Sequence, residues 1–430
     1  MSDLTHFFGA GLGLWLIWRL SRTTLSTPLL FGATAVLSAA MALFVFLGSQ
    51  PTNLFEDFKD AYLAAGKAVL SGPAALRPQI QLGAYGFVNI PIVAYLFAPF
   101  ALVPQRVATS AFLLIGLGSV LGAWLLICRR YRFDRMESAL ALFALSSFGP
   151  LIYSFREGNA SHILLLALAG GLTLSSARRD LAAGAAFAAA AIIKPPLLLI
   201  GLYYALRGRW RIVAAGLGLC VATLILSLLV FGWSMHVLWF EQFRAYASAP
   251  MPGYNDQSLA AAALRFVLGQ ESYQDWGPRP LPSLVHTGVL AATLALFVTG
   301  VWAALRGRGR ADREDLEIFL LLAFICVAST VSWSHYYVWL LPGFAFAYAR
   351  LKSDGATGWP MPATLAAFVL AMPTGSLTHP PVYGVLAPYF IVIVSHLLYG
   401  GLIFYAVLVR IAAGPFNLRH NITSTPKAAK

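Results

Sequence analysis

Acidic side chains are scarce in this chain, and three of them lie close together. Only 17 of the 430 residues are Asp or Glu, yet Glu56, Asp57 and Asp60 fall in one short polar segment. A carboxylate can take the proton of an attacking hydroxyl, which is the task of a general base. Residues three apart on a helix share a face, so Asp57 and Asp60 would point the same way. If the protein is an enzyme, we expect its base in this segment; the alternative is a solvated turn before a surface helix.

Four further polar motifs could contribute to the same chemistry. Lys194 interrupts a long apolar run, and a Lys at membrane depth is costly unless it faces an anion or a polar cavity. His335 follows a Ser-Trp-Ser motif and could donate a hydrogen bond to an anionic oxygen. The alternatives are a snorkelling Lys beside a helix break and a structural His in an aromatic belt. The other two motifs are Arg156-Glu157-Gly158-Asn159 and Asn255-Asp256-Gln257-Ser258, the second of which has the composition of an ordinary turn.

Composition places these motifs in a membrane protein. Charged residues make up 11% of the chain, against roughly 25% in soluble domains, and the mean hydropathy is +0.73. Long apolar runs cross the lipid core as helices, since backbone polar groups must pair internally there. We predict an all-α polytopic membrane protein with about twelve transmembrane helices, and short juxtamembrane helices in its first outer loop. The predicted spans are 29–47, 107–127, 137–154, 159–176, 181–194, 195–206, 212–232, 283–305, 315–331, 335–350, 360–374 and 385–409.

The distribution of basic residues predicts the orientation. Most Lys and Arg residues fall in alternate connecting segments, as expected of cytosolic loops, provided that 87–103 lies along the outer surface rather than crossing. In this orientation both termini are cytosolic. The basic residues form short clusters between apolar runs, so no nucleic acid partner is expected. The predicted divisions are a cytosolic or interfacial segment 1–27, a single transmembrane domain 28–410 with outer loops 49–106 and 233–282, and a cytosolic tail 411–430.

Six motifs together resemble a known family. They are Asp57-Phe58 with Tyr62, Ala64-Ala65 and Gly72; Phe87-Val88-Asn89-Ile90-Pro91 with Pro99 and Pro104; Gly158-Asn159; Ile193-Lys194-Pro195 with Arg207-Gly208-Arg209-Trp210-Arg211; Asn255 to Leu259; and Ser332-Trp333-Ser334-His335-Tyr336. In this order they resemble the GT-C superfamily of membrane glycosyltransferases, and within it family 87, the polyprenyl-phosphate-mannose-dependent mannosyltransferases. Two positions depart from the family pattern: Asp256 is an insertion, and Asn159 stands where many members have Gln.

The resemblance implies an inverting transfer of a sugar, which in this family is mannose, from a polyprenyl-phosphate donor to a lipid or glycan acceptor. Asp57 would be the general base, in an active site that faces the periplasm from the inner membrane. Residues assigned to the donor phosphate are Lys194, His335, Arg156 and Tyr336, and those assigned to substrate are Asp60, Tyr62, Asn159, Asn255, Gln257, Ser258 and Trp333.

Neither a metal nor a cofactor is predicted, because the His, Cys and carboxylate residues lack ligand spacing. The alternative function is a transporter or flippase of a lipid-linked or small polar substrate, since broken helices around a polar cavity also occur in that class. A membrane acyltransferase that uses His335 is a further alternative.

Overall fold

The computed structural model describes residues 3–47, 54–373 and 390–414, and these residues are mostly helical. The α-helices are α1 (Asp3–Ser21), α2 (Thr27–Leu47), α3 (Ala64–Leu70), α4 (Arg77–Gln81), α5 (Ala98–Ala101), α6 (Gln105–Arg130), α7 (Arg135–Leu145), α8 (Gly149–Glu157), α9 (Ser161–Ser176), α10 (Asp180–Ile193), α11 (Leu198–Leu206), α12 (Trp210–Ala247), α13 (Leu259–Leu268), α14 (Ser283–Arg306), α15 (Arg313–Ala328), α16 (Leu341–Ser353), α17 (Pro360–Leu370), α18 (Phe390–Ile393) and α19 (His396–Ala413). A π-helix covers Asp57–Leu63, and 3-10 helices cover Pro73–Leu76, Gly83–Tyr85, Pro91–Leu96, Pro195–Leu197, Gln270–Gln274, Gly307–Gly309 and Ser334–Leu340. Within the described ranges, β pairing is limited to an isolated antiparallel bridge between Asp256 and Trp333. The predicted all-α class is therefore confirmed for these residues.

Several helices have the length and composition of membrane spans. Among the described residues, α2, α6, α12, α14 and α19 are long and apolar enough to cross a membrane. The pair α7 and α8, bent by 48°, would make a sixth crossing. Other predicted spans correspond to shorter helices: α10 has 14 residues and rises about 21 Å at 1.5 Å per residue, less than the ~30 Å hydrocarbon core. The protein is thus an all-α membrane protein, and the count of twelve spans stays a prediction.

Some of the predicted segments fall partly outside the described residues. These are the beginning of segment 1–27, part of the outer loop 49–106, the end of span 360–374, the beginning of span 385–409 and most of the tail 411–430.

Helix α1 forms an antiparallel hairpin with α2. A Cβ on Gly9 would lie 3.5 Å from the sulfur of Met41, near the other end of the hairpin from its turn. Arg135 holds the turn by donating to the carbonyls of Ser21 (3.0 Å) and Leu25 (2.9 Å). This packing of α1 along α2 was not predicted, and the cytosolic or interfacial placement of segment 1–27 stays a prediction.

One end of the helix bundle is tied together by ion pairs. Arg130, at the end of α6, pairs with Asp315 of α15. Arg209, just before α12, pairs with Asp180 of α10 (2.7 Å) and with Glu314 of α15 (3.1 Å). Helices α10 and α15 begin at these pairs and end at the cavity described below. The basic connecting segments and the cavity therefore lie at opposite ends of the bundle.

Segment 87–103 is built from short helices rather than one long one. Its longest helix is the six-residue 3-10 helix Pro91–Leu96, followed by the four residues of α5. Proline lacks an N–H and disfavours helix in the residue before it, which accounts for these breaks at Pro91 and Pro99. The segment is anchored on α12, since Trp239 donates to the carbonyl of Val88 at 3.0 Å.

Candidate active site

A cavity of about 770 Å³ opens at the end of the bundle away from the ion pairs. This volume is within the range of small-molecule binding pockets. Residues from at least five separate stretches of the chain line the cavity, although they are far apart in sequence. The predicted site residues that line it are Asp57, Tyr62, Arg156, Asn159, Lys194, Asn255, Trp333, His335 and Tyr336.

Asp57 is held on a strained and closely packed segment. It opens the seven-residue π-helix, a form that often occurs at functional sites. Phe55 has a φ of 61°, which costs a non-glycine residue about 1–3 kcal/mol, and its N–H donates to the carbonyl of Arg156 at 2.5 Å. Gly158 has a φ of 69°, and a Cβ on it would lie 2.6 Å from the Cβ of Phe58. The end of α8 can therefore approach Asp57 only because residue 158 has no side chain.

Asn159 orients the carboxylate of Asp57. Its Nδ2 donates to Asp57 Oδ2 at 2.7 Å. Its Oδ1 accepts from the N–H and the hydroxyl of Ser161, at 3.1 and 3.0 Å, which fixes the amide with its NH₂ group toward the carboxylate. Burial raises the pKa of Asp57 above its ordinary value of 3.8, while the Asn159 hydrogen bond and the charge of Lys194 act to lower it.

Lys194 stands at the break between α10 and α11. Its backbone is extended (φ −130°, ψ 91°), because Pro195 and Pro196 cannot donate helical hydrogen bonds and Pro195 disfavours helix in the residue before it. The carbonyl of Ile193, exposed by this break, accepts a hydrogen bond from Asn89 Nδ2 at 2.9 Å. The juxtamembrane segment thus supports the lysine position.

The ammonium of Lys194 is buried beside polar and aromatic groups that carry no negative charge. Its Nζ lies 3.4 Å from Nε2 of His335 and 5.1 Å from the ring centroid of Tyr336, and Lys194 is 7% exposed. It forms no ion pair within the described part of the chain, and Nδ1 of the buried His335 has no hydrogen-bond partner there. A buried cation is costly unless an anion compensates it, so this group of residues can receive one.

Asp256 joins two of the motifs that line the cavity. Its Oδ1 accepts from the N–H groups of Ser332 (2.9 Å) and Ser258 (3.1 Å), and its backbone forms the bridge with Trp333. Asn255 is thereby held next to the segment that carries His335. Asp256 is therefore a structural link between these two segments.

Three predicted substrate residues do not line the cavity. Asp60 is exposed on the π-helix. Gln257 is buried, and its Nε2 donates to two backbone carbonyls, each at 2.7 Å. Ser258 caps α13, since its hydroxyl accepts from the N–H of Ala261 at 3.0 Å.

The cavity also contains residues that the sequence prediction did not select. They are chiefly Glu157 and the aromatic residues Tyr153, Tyr246, Tyr254 and Trp276. Glu157 could have been found, because carboxylates are scarce and this one adjoins Gly158-Asn159. The aromatic residues gave no signal in a chain with 13% aromatic residues. No group of three or more His, Cys, Asp or Glu side chains suited to a metal ion occurs within the described ranges.

The described residues form a membrane-embedded helical bundle whose cavity holds a carboxylate and a buried cation, which is the build of a candidate active site in a membrane enzyme. Residues 87–332, more than half of the chain, match the model of glycosyltransferase family 87. The chain belongs to glycosyltransferase family 87 and is a glycosyltransferase. The matched region contains Lys194 but neither Asp57 nor His335, so it does not assign the roles of those two residues.

A curated relative agrees with this family. The chain is similar to the polyprenol-phosphate-mannose-dependent alpha-(1-2)-phosphatidylinositol pentamannoside mannosyltransferase of Mycolicibacterium smegmatis, with 29% identity over 297 residues. The alignment covers 66% of this chain and 68% of the relative. No solved structure matches the chain significantly.

Proposed function

We propose that the protein transfers a mannosyl group from a polyprenyl-phosphate donor to a lipid or glycan acceptor, with inversion at the anomeric carbon. The name of the mycobacterial relative supports this donor. The observation that carries the proposal is the pairing of Asp57 and Lys194. Both line one cavity, and they form no ion pair with each other. A sugar can therefore lie between a base and a phosphate-binding cation.

Asp57 acts as the general base in this reaction. The acceptor hydroxyl attacks the anomeric carbon on the face opposite the phosphate, and its proton passes to the Asp57 carboxylate as the new bond forms. Phosphate leaves readily without protonation, whereas a glycosidase must protonate an alkoxide and so needs a second carboxyl group. One base is therefore sufficient.

Lys194, His335 and Tyr336 bind the departing phosphate. Negative charge grows on the phosphate in the transition state, and fixed donors aimed at it lower the barrier, each typically contributing about 3 kcal/mol. The Lys194 ammonium and an N–H of His335 supply such donors. Arg156 interacts with the charge of Glu157, so we place it in the part of the cavity around that residue.

The cavity faces the periplasm in the proposed arrangement. Arginine-rich connections gather at the ion-paired end of the bundle, and basic residues favour the cytosolic side. The end of α19 also lies there, since Arg310 donates to the carbonyl of Ile411 at 2.9 Å, so the C-terminal tail is cytosolic. The protein is thus an inner-membrane enzyme with a GT-C-like arrangement.

The test is transfer of label by the purified protein. Proteoliposomes that contain the protein, mannose-labelled polyprenyl phosphate mannose and extracted membrane lipids should yield labelled lipid and free polyprenyl phosphate. The new linkage should have the anomeric configuration opposite to that of the donor. A flippase would instead move the intact donor between leaflets without releasing polyprenyl phosphate, and that result would refute the proposal.

A further inference from the structure

Asn159, which orients Asp57, lies in the turn between α8 and α9, and Ser154 holds both of its backbone polar groups. The N–H of Asn159 donates to the carbonyl of Ser154 at 2.8 Å. The hydroxyl of Ser154 donates in turn to the carbonyl of Asn159 at 3.2 Å. The N–H of Gly158 also donates to the carbonyl of Phe155 at 3.1 Å, so the turn is a Schellman motif with glycine in the left-handed conformation. Ser154 therefore fixes the backbone from which the Asn159 side chain reaches Asp57.

His162 lies beside Ser154 in the first turn of α9. Its Nδ1 is 2.9 Å from the hydroxyl oxygen of Ser154, and its backbone N–H donates to the same oxygen at 3.3 Å. The imidazole ring stacks on Phe155, with centroids 4.1 Å apart. A Cβ on Gly116 would overlap Nε2, so the other edge of the ring packs on the backbone of α6. The ring is therefore held with Nδ1 toward Ser154.

The hydrogen bonds around Ser154 define the tautomer of His162. A serine hydroxyl carries one proton and can accept others. If Nδ1 is protonated, Ser154 accepts from His162 and donates to Asn159, and only Nε2 has no hydrogen-bond partner among the described residues. In the other tautomer the Nε2 proton has no acceptor there, and the single serine proton can serve either Nδ1 or the Asn159 carbonyl, so a second buried group is left unpaired at a further cost. The direction of the contacts is therefore from His162 to Ser154 to Asn159.

We propose that Ser154 and His162 are positioning residues for the general base. His162 fixes the direction of the Ser154 hydroxyl, and that hydroxyl holds the backbone of Asn159. Asn159 Nδ2 then donates to Asp57 Oδ2 at 2.7 Å. Ser154 and His162 are fully buried and do not line the cavity, so they act through Asn159 rather than on the substrate. This inference rests on the proposed function, in which Asp57 is the base, and adds residues that hold it in place.

Ser154→Ala tests the serine. Without the hydroxyl, the Asn159 carbonyl loses its donor and the Asn159 amide is no longer fixed against Asp57. The kcat should fall about tenfold to hundredfold, as for a misplaced catalytic group, while the KM for polyprenyl phosphate mannose stays within about twofold because Lys194 is unchanged. The acidic limb of kcat should move to higher pH, because the hydrogen bond from Asn159 lowers the pKa of Asp57. The charged groups that interact with Asp57 are the same in this variant as in the wild type, and they are Lys194, Asp60 and Glu157.

A double variant distinguishes positioning of the base from a general loss of stability. If Ser154 acts through Asn159, adding Ser154→Ala to Asn159→Ala should move the acidic limb no further than Asn159→Ala alone, since the two residues act as one unit. Thr364→Val is the control for loss of a buried hydroxyl. Thr364 donates to the carbonyl of Pro360 at 2.8 Å and does not line the cavity, so this change should leave kcat and its acidic limb as in the wild type.

Two variants of His162 test the tautomer. His162→Asn keeps a side-chain N–H near the position of Nδ1, whereas His162→Gln carries its N–H nearer the position of Nε2. Both lose the ring that stacks on Phe155, so both should lower the melting temperature. The kcat and its acidic limb should nevertheless stay closer to the wild type in His162→Asn than in His162→Gln.

The outcomes distinguish this inference from the proposed function. A wild-type acidic limb in Ser154→Ala, or a double variant whose limb moves beyond that of Asn159→Ala, would overturn the positioning role. Equal kcat and equal limbs in His162→Asn and His162→Gln would overturn the role of His162, and this pair decides the inference if Ser154→Ala does not fold. Absence of any mannosyl transfer by the wild type would instead refute the proposed function itself.

Discussion

Replacement of Asp57 by Asn should remove catalysis while leaving the fold and donor binding in place. The side chain keeps its shape. In the wild type Asn159 Nδ2 donates to Asp57 Oδ2 at 2.7 Å, and the amide oxygen of the new Asn side chain can accept the same hydrogen bond. A hydrogen bond to a charged group contributes about 1.5–3 kcal/mol and a neutral one about 0.5–1.5 kcal/mol, so about 1 kcal/mol of this contact is lost. Relief of the buried charge offsets that loss.

The catalytic loss should be far larger. A general base is worth about 10²–10⁴ in rate, and since 1.36 kcal/mol corresponds to a factor of ten, this is about 3–5 kcal/mol. Donor affinity should be unchanged or tighter, because removal of one negative charge leaves the Lys194 region more positive.

The assay measures single-turnover transfer and donor binding on the same purified variant. Binding of a labelled donor and an unchanged melting temperature serve as controls for folding. If Asp57→Asn kept more than about a tenth of the wild-type turnover, Asp57 could not be the base.

Three other variants test the remaining geometry. Lys194→Ala should weaken donor binding about tenfold to hundredfold, the contribution of a charge-assisted hydrogen bond, and equilibrium binding that equals that of the wild type would remove Lys194 from the phosphate site. Asn159→Ala removes a hydrogen bond that lowers the pKa of Asp57, and since the base must be ionised, the acidic limb of kcat should move to higher pH; Asn159→Gln should restore it, and an unmoved limb would contradict this coupling. Gly158→Ala should lower the free energy of unfolding by about 1–3 kcal/mol, because its φ is 69° and a Cβ would meet the neighbouring segment. Gly170→Ala on α9, where nothing lies within 4 Å, is the matched control, and equal melting temperatures for these two variants would refute the argument.

The grouping of the polar motifs was predictable from the sequence, because charge distribution and apolar runs place separate motifs at one end of a bundle. Asp57, Lys194 and His335 line one cavity as this reasoning requires. The break at Lys194 was also predictable, since two prolines follow it. Each of these inferences needed only the local sequence and the side of the membrane on which each motif was predicted to lie.

Other features depend on partners that are distant in the sequence. The sequence predicted that Gln257 binds substrate, but its side-chain amide donates hydrogen bonds to the carbonyls of residues 254 and 394. No sequence pattern indicates these two hydrogen bonds. The hairpin of α1 and α2 was missed because the apolar run 7–18 is short and Arg19 follows it. In the structure Arg135, more than a hundred residues away, holds the hairpin turn.

The order in which the cavity walls are synthesised has a consequence for membrane insertion. Asp57 is synthesised early, but the stretch from Ser329 to Tyr336, which forms another wall of the cavity, comes about three-quarters of the way along the chain. Until the residues after α15 have been synthesised, a growing polypeptide has the carboxylate of Asp57 without His335. The proposed site is therefore complete only late in translation.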